Sequence, residues 1–290
     1  MEFSAMVKKY LSLVKFSHTI FAMPFAMTGL FAGFRDVGGV DWEILILVAM
    51  CMIFARNAAM AFNRWLDRDV DALNPRTAVR EIPAGVVSAR AALIFVALNV
   101  AGFVLTTYFI NTVCFRLSPV ALFVILFYSY TKRFTSLCHW VLGTGLALAP
   151  VGAYLAATER FEPAIVLLGV AVLCWVAGFD IIYALQDEEF DRRSGLRSIP
   201  SALGYKGALA VARTLHSLTA ITLFVAVHLL GGGWMYVGVG GFCAMLARQH
   251  YLVHRYKLEK INLAFFTANG LASLFFGLTA IVQFIMDMRG

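Results

Sequence analysis

The sequence predicts an all-α, polytopic membrane protein: nine transmembrane helices bundled around a central cavity, with residues 1–290 forming one domain. Three observations lead there. Of 290 residues, 61% are hydrophobic and only 14% are charged, against roughly 25% charged in a soluble domain. Apolar runs near the ~20 residues that cross a hydrocarbon core recur along the whole chain. Lys and Arg gather on alternate loops between those runs, as cytoplasmic loops do.

The spans are predicted at 16–34, 44–66, 91–111, 117–131, 138–157, 163–186, 207–229, 232–247 and 262–286. The first comes after Lys8 and Lys9, the flank of a signal peptide. Its apolar run is too long for a signal h-region and shows no small-residue cleavage site, so it reads as a retained helix. The fourth and eighth spans are short, as inner helices can be where protein rather than lipid surrounds them.

The N-terminal segment and the loops after helices 2, 4, 6 and 8 hold seventeen Lys and Arg, and the opposite side holds four. That bias places the N-terminus in the cytoplasm and the C-terminus outside, and it fits an odd number of spans. It also accounts for the net charge of +7 without a nucleic-acid partner. The five cysteines are scattered and form no CxxC, so they read as small buried hydrophobes.

Charge concentrates in two matched stretches. Residues 63–83 read NRWLDRDVDALNPRTAVREIP, and residues 180–200 read DIIYALQDEEFDRRSGLRSIP. Asp67 and Asp71 are four apart, as are Asp187 and Asp191. Each pair is followed by Arg-x-Ile-Pro, at Arg80 and at Arg197. One stretch ends helix 2 and the other ends helix 6, so both emerge on the same side: a parallel internal repeat. Nine of the 17 acidic residues lie in these two stretches.

At 100° per residue, Asn63, Asp67 and Asp71 share a helical face, and so do Asp180, Tyr183, Asp187 and Asp191. Two facing carboxylate stripes repel unless a cation lies between them. Carboxylates with phosphate oxygens are the hard ligands Mg²⁺ takes in phosphoryl sites, and the guanidinium groups of Arg80 and Arg197 suit the phosphate charge. Asp69, Glu188 and Glu189 point off the shared faces and read as solvated helix-end charges. Asp180 lies about two turns before its helix end, where an acid costs on the order of 2.5–3.5 kcal/mol and needs a partner or a wet cavity. Arg56, two turns before Asn63, either holds a carboxylate or pairs with Asp180. His250 and His254 have the i, i+4 spacing of metal ligands but no third ligand.

The two stretches resemble the NDxxDxxxD and DxxYxxxDxxxD motifs of the UbiA superfamily of intramembrane prenyltransferases. Weaker similarity runs through KFSHTIFAMPFA at 15–26, YSYTKRF at 128–134 and INLAFFTANG at 261–270. The flavour is closest to 4-hydroxybenzoate polyprenyltransferases and to bacterial relatives that act on naphthoates. Arg64 departs from the pattern, which often carries an acid there.

The resemblance implies Mg²⁺-dependent transfer of a polyprenyl group from its diphosphate to an aromatic acid, ortho to a hydroxyl, in the bacterial inner membrane. It implies Asn63, Asp67, Asp71, Asp187 and Asp191 as the metal and diphosphate cluster. Arg80, Arg197 and Lys132 would bind diphosphate, and Asp180 and Tyr183 would face the chamber, either to orient the aromatic acceptor or to stabilise the cation. Lys132 also fits a plain cytoplasmic anchor. Lys15 and His18, at the foot of helix 1, read as interface residues before functional ones. Spacing alone leaves a haem farnesyltransferase or a chlorophyll synthase open. A transporter, the rival of another class, would carry its decisive charges near the midplane, where only Asp180 and Arg56 lie.

Overall fold

A computed structural model describes Tyr10, residues 12–14 and residues 21–290. Lys15 and His18 lie outside the described residues. The long helices are α1 (Met23–Val37), α2 (Trp42–Leu66), α4 (Ala89–Ile110), α5 (Thr112–Thr131), α6 (Cys138–Thr158), α7 (Pro163–Ala184), α9 (Ile199–Leu229) and α10 (Met235–Tyr256), then α11 (Ile261–Asp287). Two short helices, α3 (Arg68–Leu73) and α8 (Glu188–Arg193), come after α2 and α7. There is no strand among the described residues. Among the described residues, seven helices are long and apolar enough to cross a membrane: all the long ones except α1 and α10.

Local chemistry sets the helix starts. Asp41 accepts from the backbone N–H groups of Glu43 and Ile44 and caps α2, while Ser88 and Asn111 cap α4 and α5 in the same way. Each satisfies a donor that a helix N-terminus leaves without an intrahelical acceptor. The Asn111 cap starts α5 at Thr112, five residues before the predicted span, because the helix runs through Arg116 whereas the apolar run begins after it.

Helix α9 also starts early. Ser198 and Ser201 form a capping box, and Gly204 kinks the helix at φ 67°, so the predicted 207–229 is the part beyond the kink. Helix α10 outruns its predicted end at 247 by continuing through Arg248, Gln249 and His250 to Tyr256. Its polar last turns keep it out of the strictly apolar set.

The core centres on α7, which lies between α6 and α9 and is mostly buried, as a helix apolar around most of its circumference tends to be. Trp175 of α7 packs against Phe25 of α1 at 5.3 Å and Phe242 of α10 at 5.4 Å between ring centroids, and Phe25 stacks on Phe276 of α11 at 5.4 Å. The indole N–H donates to Asn269 Oδ1 at 2.9 Å, which satisfies a donor that would be costly to bury alone. Helices α1 and α6 touch at Gly29, where a Cβ would lie 2.1 Å from the Pro150 carbonyl oxygen.

Helices α2, α4, α5 and α6 leave a chamber of about 370 Å³ between them. Its walls are almost entirely apolar, and Arg56 is the charged residue among the described lining residues.

Candidate active site

Both acidic stretches bend the chain in the same way. Helix α2 stops at Leu66, Asp67 takes φ −91°, ψ 4°, and α3 then resumes. Helix α7 stops at Ala184, a 3₁₀ turn covers Leu185–Asp187, Asp187 takes φ −104°, ψ 4°, and α8 resumes. The sequence repeat is thus a backbone repeat, with the first aspartate of each DxxxD in the sparsely used bridge region. In the first copy, Asp67 N–H donates to the Asn63 carbonyl at 2.9 Å and Asp71 N–H to the Asp67 carbonyl at 2.7 Å. Asn63, Asp67 and Asp71 therefore stay on one face, and the Asn63 amide donates to Asp67 Oδ2 at 3.1 Å.

The two stretches meet. Asn74 Nδ2 and Arg76 Nε, from the loop after the first motif, donate to Asp187 Oδ1 at 3.0 and 2.9 Å, and Arg76 Nη2 reaches the other oxygen. Lys132 and Arg133, after α5, bind one acid from each copy: Lys132 Nζ lies 2.7 Å from Asp191 Oδ1 and Arg133 Nη2 lies 3.0 Å from Asp67 Oδ1. Arg80 Nη1 reaches both oxygens of Asp71 at 2.7 and 2.8 Å. Ser198 Oγ adds a bond to Asp191 Oδ2 at 3.1 Å. Repulsion among the four carboxylates is relieved by four cations of the chain itself, where the sequence predicts a bound metal.

Tyr183 packs on Phe265 with centroids 4.3 Å apart and has the Arg76 guanidinium 5.8 Å above its ring, which puts it beside the inter-motif bond. Asp180 is bonded to His139, Nδ1 to Oδ2, at 2.7 Å, so its partner is histidine and not Arg56. Arg56 lines the chamber with Tyr128.

The Arg197 side chain donates to the Phe134 carbonyl at 2.9 Å, whereas its counterpart Arg80 binds a motif acid; the repeat is not symmetric here. Asp69 is exposed beside Arg68, and Glu188 and Glu189 pair with Arg192 and Arg193 one turn along α8. His250 Nε2 meets His216 Nδ1 of α9 at 2.8 Å, so its partner lies across the bundle and is not His254.

Sequence reasoning missed Asn74, Arg76, Arg133 and His139. Lys132 and Arg133 are adjacent in a basic loop, and nothing in their spacing tells which acid each one meets. Arg64 occupies the position where a family acid is common. Its Nε and Nη1 are buried and make no hydrogen bond among the described residues. The charges around it are Arg80, Glu81 and Asp71.

Burial pushes the Asp67 carboxyl above the usual carboxylate range, with Arg133 opposing. Burial works against the Lys132 ammonium, but the neighbouring Asp191 carboxylate more than offsets it and holds the pKa above the ordinary lysine value. Arg76 is likewise held up by Asp187 against its own desolvation. At neutral pH these loops therefore carry full positive charge against the acids.

The donor set of Asp67, Asp71, Asp187, Asp191 and the Asn63 amide is the hard oxygen chemistry that suits a divalent cation. No three acidic, histidine or cysteine groups converge as a closed metal cage among the described residues. That arrangement fits an ion held by one or two carboxylates and completed by substrate phosphate oxygens, the usual habit of Mg²⁺.

The sequence model of the UbiA prenyltransferase family matches residues 22–271. The chain belongs to the UbiA prenyltransferase family. Among curated UbiA relatives, a protein named 4-hydroxybenzoate octaprenyltransferase from Aliivibrio fischeri is 29% identical over 237 residues, covering 81% of this chain and 83% of its own. The protein of the same name from Alcanivorax borkumensis is 32% identical over 222 residues, covering 76% of each. The solved UbiA homologue from Aeropyrum pernix K1, an apo structure, superposes with a TM-score of 0.83 at 32% identity over 92% of this chain and 98% of that one. A UbiA homologue from Archaeoglobus fulgidus bound to GPP and Mg²⁺ shares the fold at a TM-score of 0.74 and 22% identity, covering 97% of this chain and all of the other.

Proposed function

We propose that this UbiA protein transfers a polyprenyl group from polyprenyl diphosphate to an aromatic acid of the 4-hydroxybenzoate kind, forming a carbon–carbon bond ortho to the hydroxyl and releasing diphosphate. The observation that carries the reading is the junction of the two acidic motifs through Arg76–Asp187 and the Lys132–Arg133 pair, at one end of a four-helix apolar chamber. The names of the bacterial relatives support the acceptor class. The Mg²⁺ bound in the Archaeoglobus homologue supports the choice of metal.

Asn63, Asp67, Asp71, Asp187 and Asp191 would hold the divalent cation at the diphosphate site. That ion supplies Lewis-acid stabilisation of the leaving diphosphate. The chain's own cations do the rest. Arg80, Lys132 and Arg197 lie around the junction, where Arg80 and Lys132 would turn from their carboxylate partners to the phosphate oxygens of the donor. Electrostatic stabilisation of the departing group is the largest contribution such a site makes.

The apolar chamber keeps water from an allylic cation and gives isoprenoid carbons a dry wall. Arg56, the charge on that wall, suits the acceptor carboxylate, with Asp180 and Tyr183 near the acceptor ring. The seventeen-to-four Lys and Arg bias supports a cytoplasmic position for the aspartates, in a bacterial inner membrane.

The test incubates purified protein with Mg²⁺, a short prenyl diphosphate and a panel of 4-hydroxybenzoate and dihydroxynaphthoates, with products identified by mass. An adduct with 4-hydroxybenzoate is expected. Diphosphate release with no aromatic adduct sinks the proposal, and adducts with naphthoates alone move the acceptor class.

A further inference from the structure

Helix α10 carries polar last turns, and residues 257–260 join it to α11. Because α11 is an apolar span that begins at Ile261, the joining turn lies where hydrocarbon gives way to water. It sits at the same end of the bundle as the acidic motifs. The Tyr205 hydroxyl, near the start of α9, donates to the Val253 carbonyl at 3.2 Å, and Phe265, one turn into α11, packs on Tyr183. The turn is held by its backbone. Lys257 N–H donates to the Val253 carbonyl at 2.9 Å, Glu259 N–H donates to the Tyr256 carbonyl at 3.1 Å, and Ile261 is buried.

Three exposed cations stand on this fixed turn: Arg255, Lys257 and Lys260. Lys260 Nζ lies 3.7 Å from the centroid of the Tyr256 ring, and Arg255 Cζ lies 5.6 Å from the same centroid. An aromatic face attracts a cation, so one ring gathers two like charges that would otherwise drift apart in water. Lys257, between them in sequence, takes φ 48°, ψ −126°. That backbone is uncommon for a residue with a side chain, and it persists where the surroundings impose it, often at sites that bind.

None of the three makes an ion pair among the described residues, Glu259 included, whereas Arg192 and Arg193 on α8 each pair with an acid one turn away. Tyr251, Leu258 and Leu263 are exposed around the same turn. A soluble anion would need only the cations. A phospholipid brings a phosphate for the cations and acyl carbons for the apolar side chains.

We propose that the turn from Arg255 to Lys260 binds the headgroup of an anionic phospholipid. Arg255, Lys257 and Lys260 take the phosphate oxygens, as guanidinium and ammonium groups do, and Tyr251, Leu258 and Leu263 lie against the glycerol and the upper acyl carbons. Basic residues just outside a span favour anionic lipid, and here the Tyr256 ring adds a fixed arrangement to the bare charge. None of these side chains bonds a motif acid, so the lipid site is distinct from the diphosphate cluster and independent of which acceptor the enzyme uses.

The test titrates the full chain, in neutral detergent, with phosphatidylglycerol, phosphatidylcholine, inorganic phosphate or pyrophosphate, and reads binding from thermal stabilisation. At about fivefold per cation, phosphatidylglycerol should half-saturate at a concentration on the order of 10²-fold below phosphatidylcholine. Arg255→Gln/Lys257→Gln/Lys260→Gln should lose at least about tenfold of that preference. Arg90→Gln/Arg116→Gln/Arg160→Gln removes the same charge from exposed positions elsewhere on the chain and should lose less than about threefold. Tyr256→Leu keeps every cation but removes the ring that gathers two of them, and should lose about threefold.

Equal losses in the two triple variants, or an unchanged preference in Tyr256→Leu, overturns the site in favour of general surface charge. Stabilisation by inorganic phosphate or pyrophosphate equal to that by phosphatidylglycerol, and lost in the Arg255/Lys257/Lys260 variant, overturns it in favour of a soluble anion.

Discussion

Removing the Lys132 ammonium tests the junction most directly. Asp191 is fully buried, with Lys132 Nζ at 2.7 Å and Ser198 Oγ at 3.1 Å. At an effective dielectric of ~20, two unit charges at that separation attract by about 6 kcal/mol. Much of this is offset by desolvation of the two ions. Lys132→Met strands the carboxylate with a single hydroxyl donor, and breaking one side of a buried pair costs about 3–5 kcal/mol. Lys132 is 35% exposed along its side chain, so water reaches the gap and the lower end, about 3 kcal/mol, is expected. The double variant Lys132→Met/Asp191→Asn removes both charges and should recover most of that loss. The assay is chemical or thermal unfolding in detergent at pH 7 for the parent, both single variants and the double, read as a double-mutant cycle. A single Lys132→Met variant as stable as the parent, or a double variant no better than Lys132→Met, refutes the claim that this ion pair holds the second motif to the α5 loop. Turnover should be lost in both, because Asp191 belongs to the proposed metal and diphosphate cluster.

The remaining predictions probe charge, junction and packing. Burial raises the Asp67 carboxyl, so the folded state binds its proton more tightly than the unfolded one. Stability from this group therefore falls as pH rises from the unfolded value near 4 through the folded one, and Asp67→Asn should unfold no more easily than the parent at pH 7 while losing Mg²⁺-dependent turnover; easier unfolding would contradict the sign. Arg76→Lys removes the fork that holds both oxygens of Asp187 and should raise KM for prenyl diphosphate several-fold, because ammonium cannot replace bidentate geometry; unchanged kinetics would separate the bond from function. Gly29→Ala drives a Cβ to 2.1 Å from a backbone oxygen of α6 and should destabilise by about 1–3 kcal/mol, as overpacking does, measured by the same unfolding assay.

Features legible in the chain and features hidden from it divide along a physical line. The acidic stripes are local facts: i, i+4 spacing on a helix places Asp67 with Asp71 and Asp187 with Asp191 whatever the rest of the protein does. The repeat of Arg-x-Ile-Pro is local too, and the shared bend at Asp67 and Asp187 is its structural counterpart. The partners of those acids are not local. Arg76 meets Asp187 across 111 positions and Lys132 meets Asp191 across 59, through a bundle whose packing no periodicity specifies.

The same division explains His139. A lone histidine at the start of an apolar span carries no spacing signal. Its role emerges only when the start of α9 and the second motif close on it from opposite sides. Helix ends show the competition in miniature. Hydropathy locates the greasy segment, but Asn111, Ser198 and the kink at Gly204 decide where hydrogen bonding begins. The two copies also diverge, since Arg80 binds Asp71 and Arg197 binds a backbone carbonyl. Equivalent sequence therefore does not give equivalent chemistry. The first copy uses its arginine on its own acid. The second leaves that work to Lys132 and turns its segment toward the histidine that holds Asp180. The repeat contributes two similar acidic stripes, and their Arg-x-Ile-Pro segments serve different partners, an acid in the first copy and a backbone carbonyl in the second.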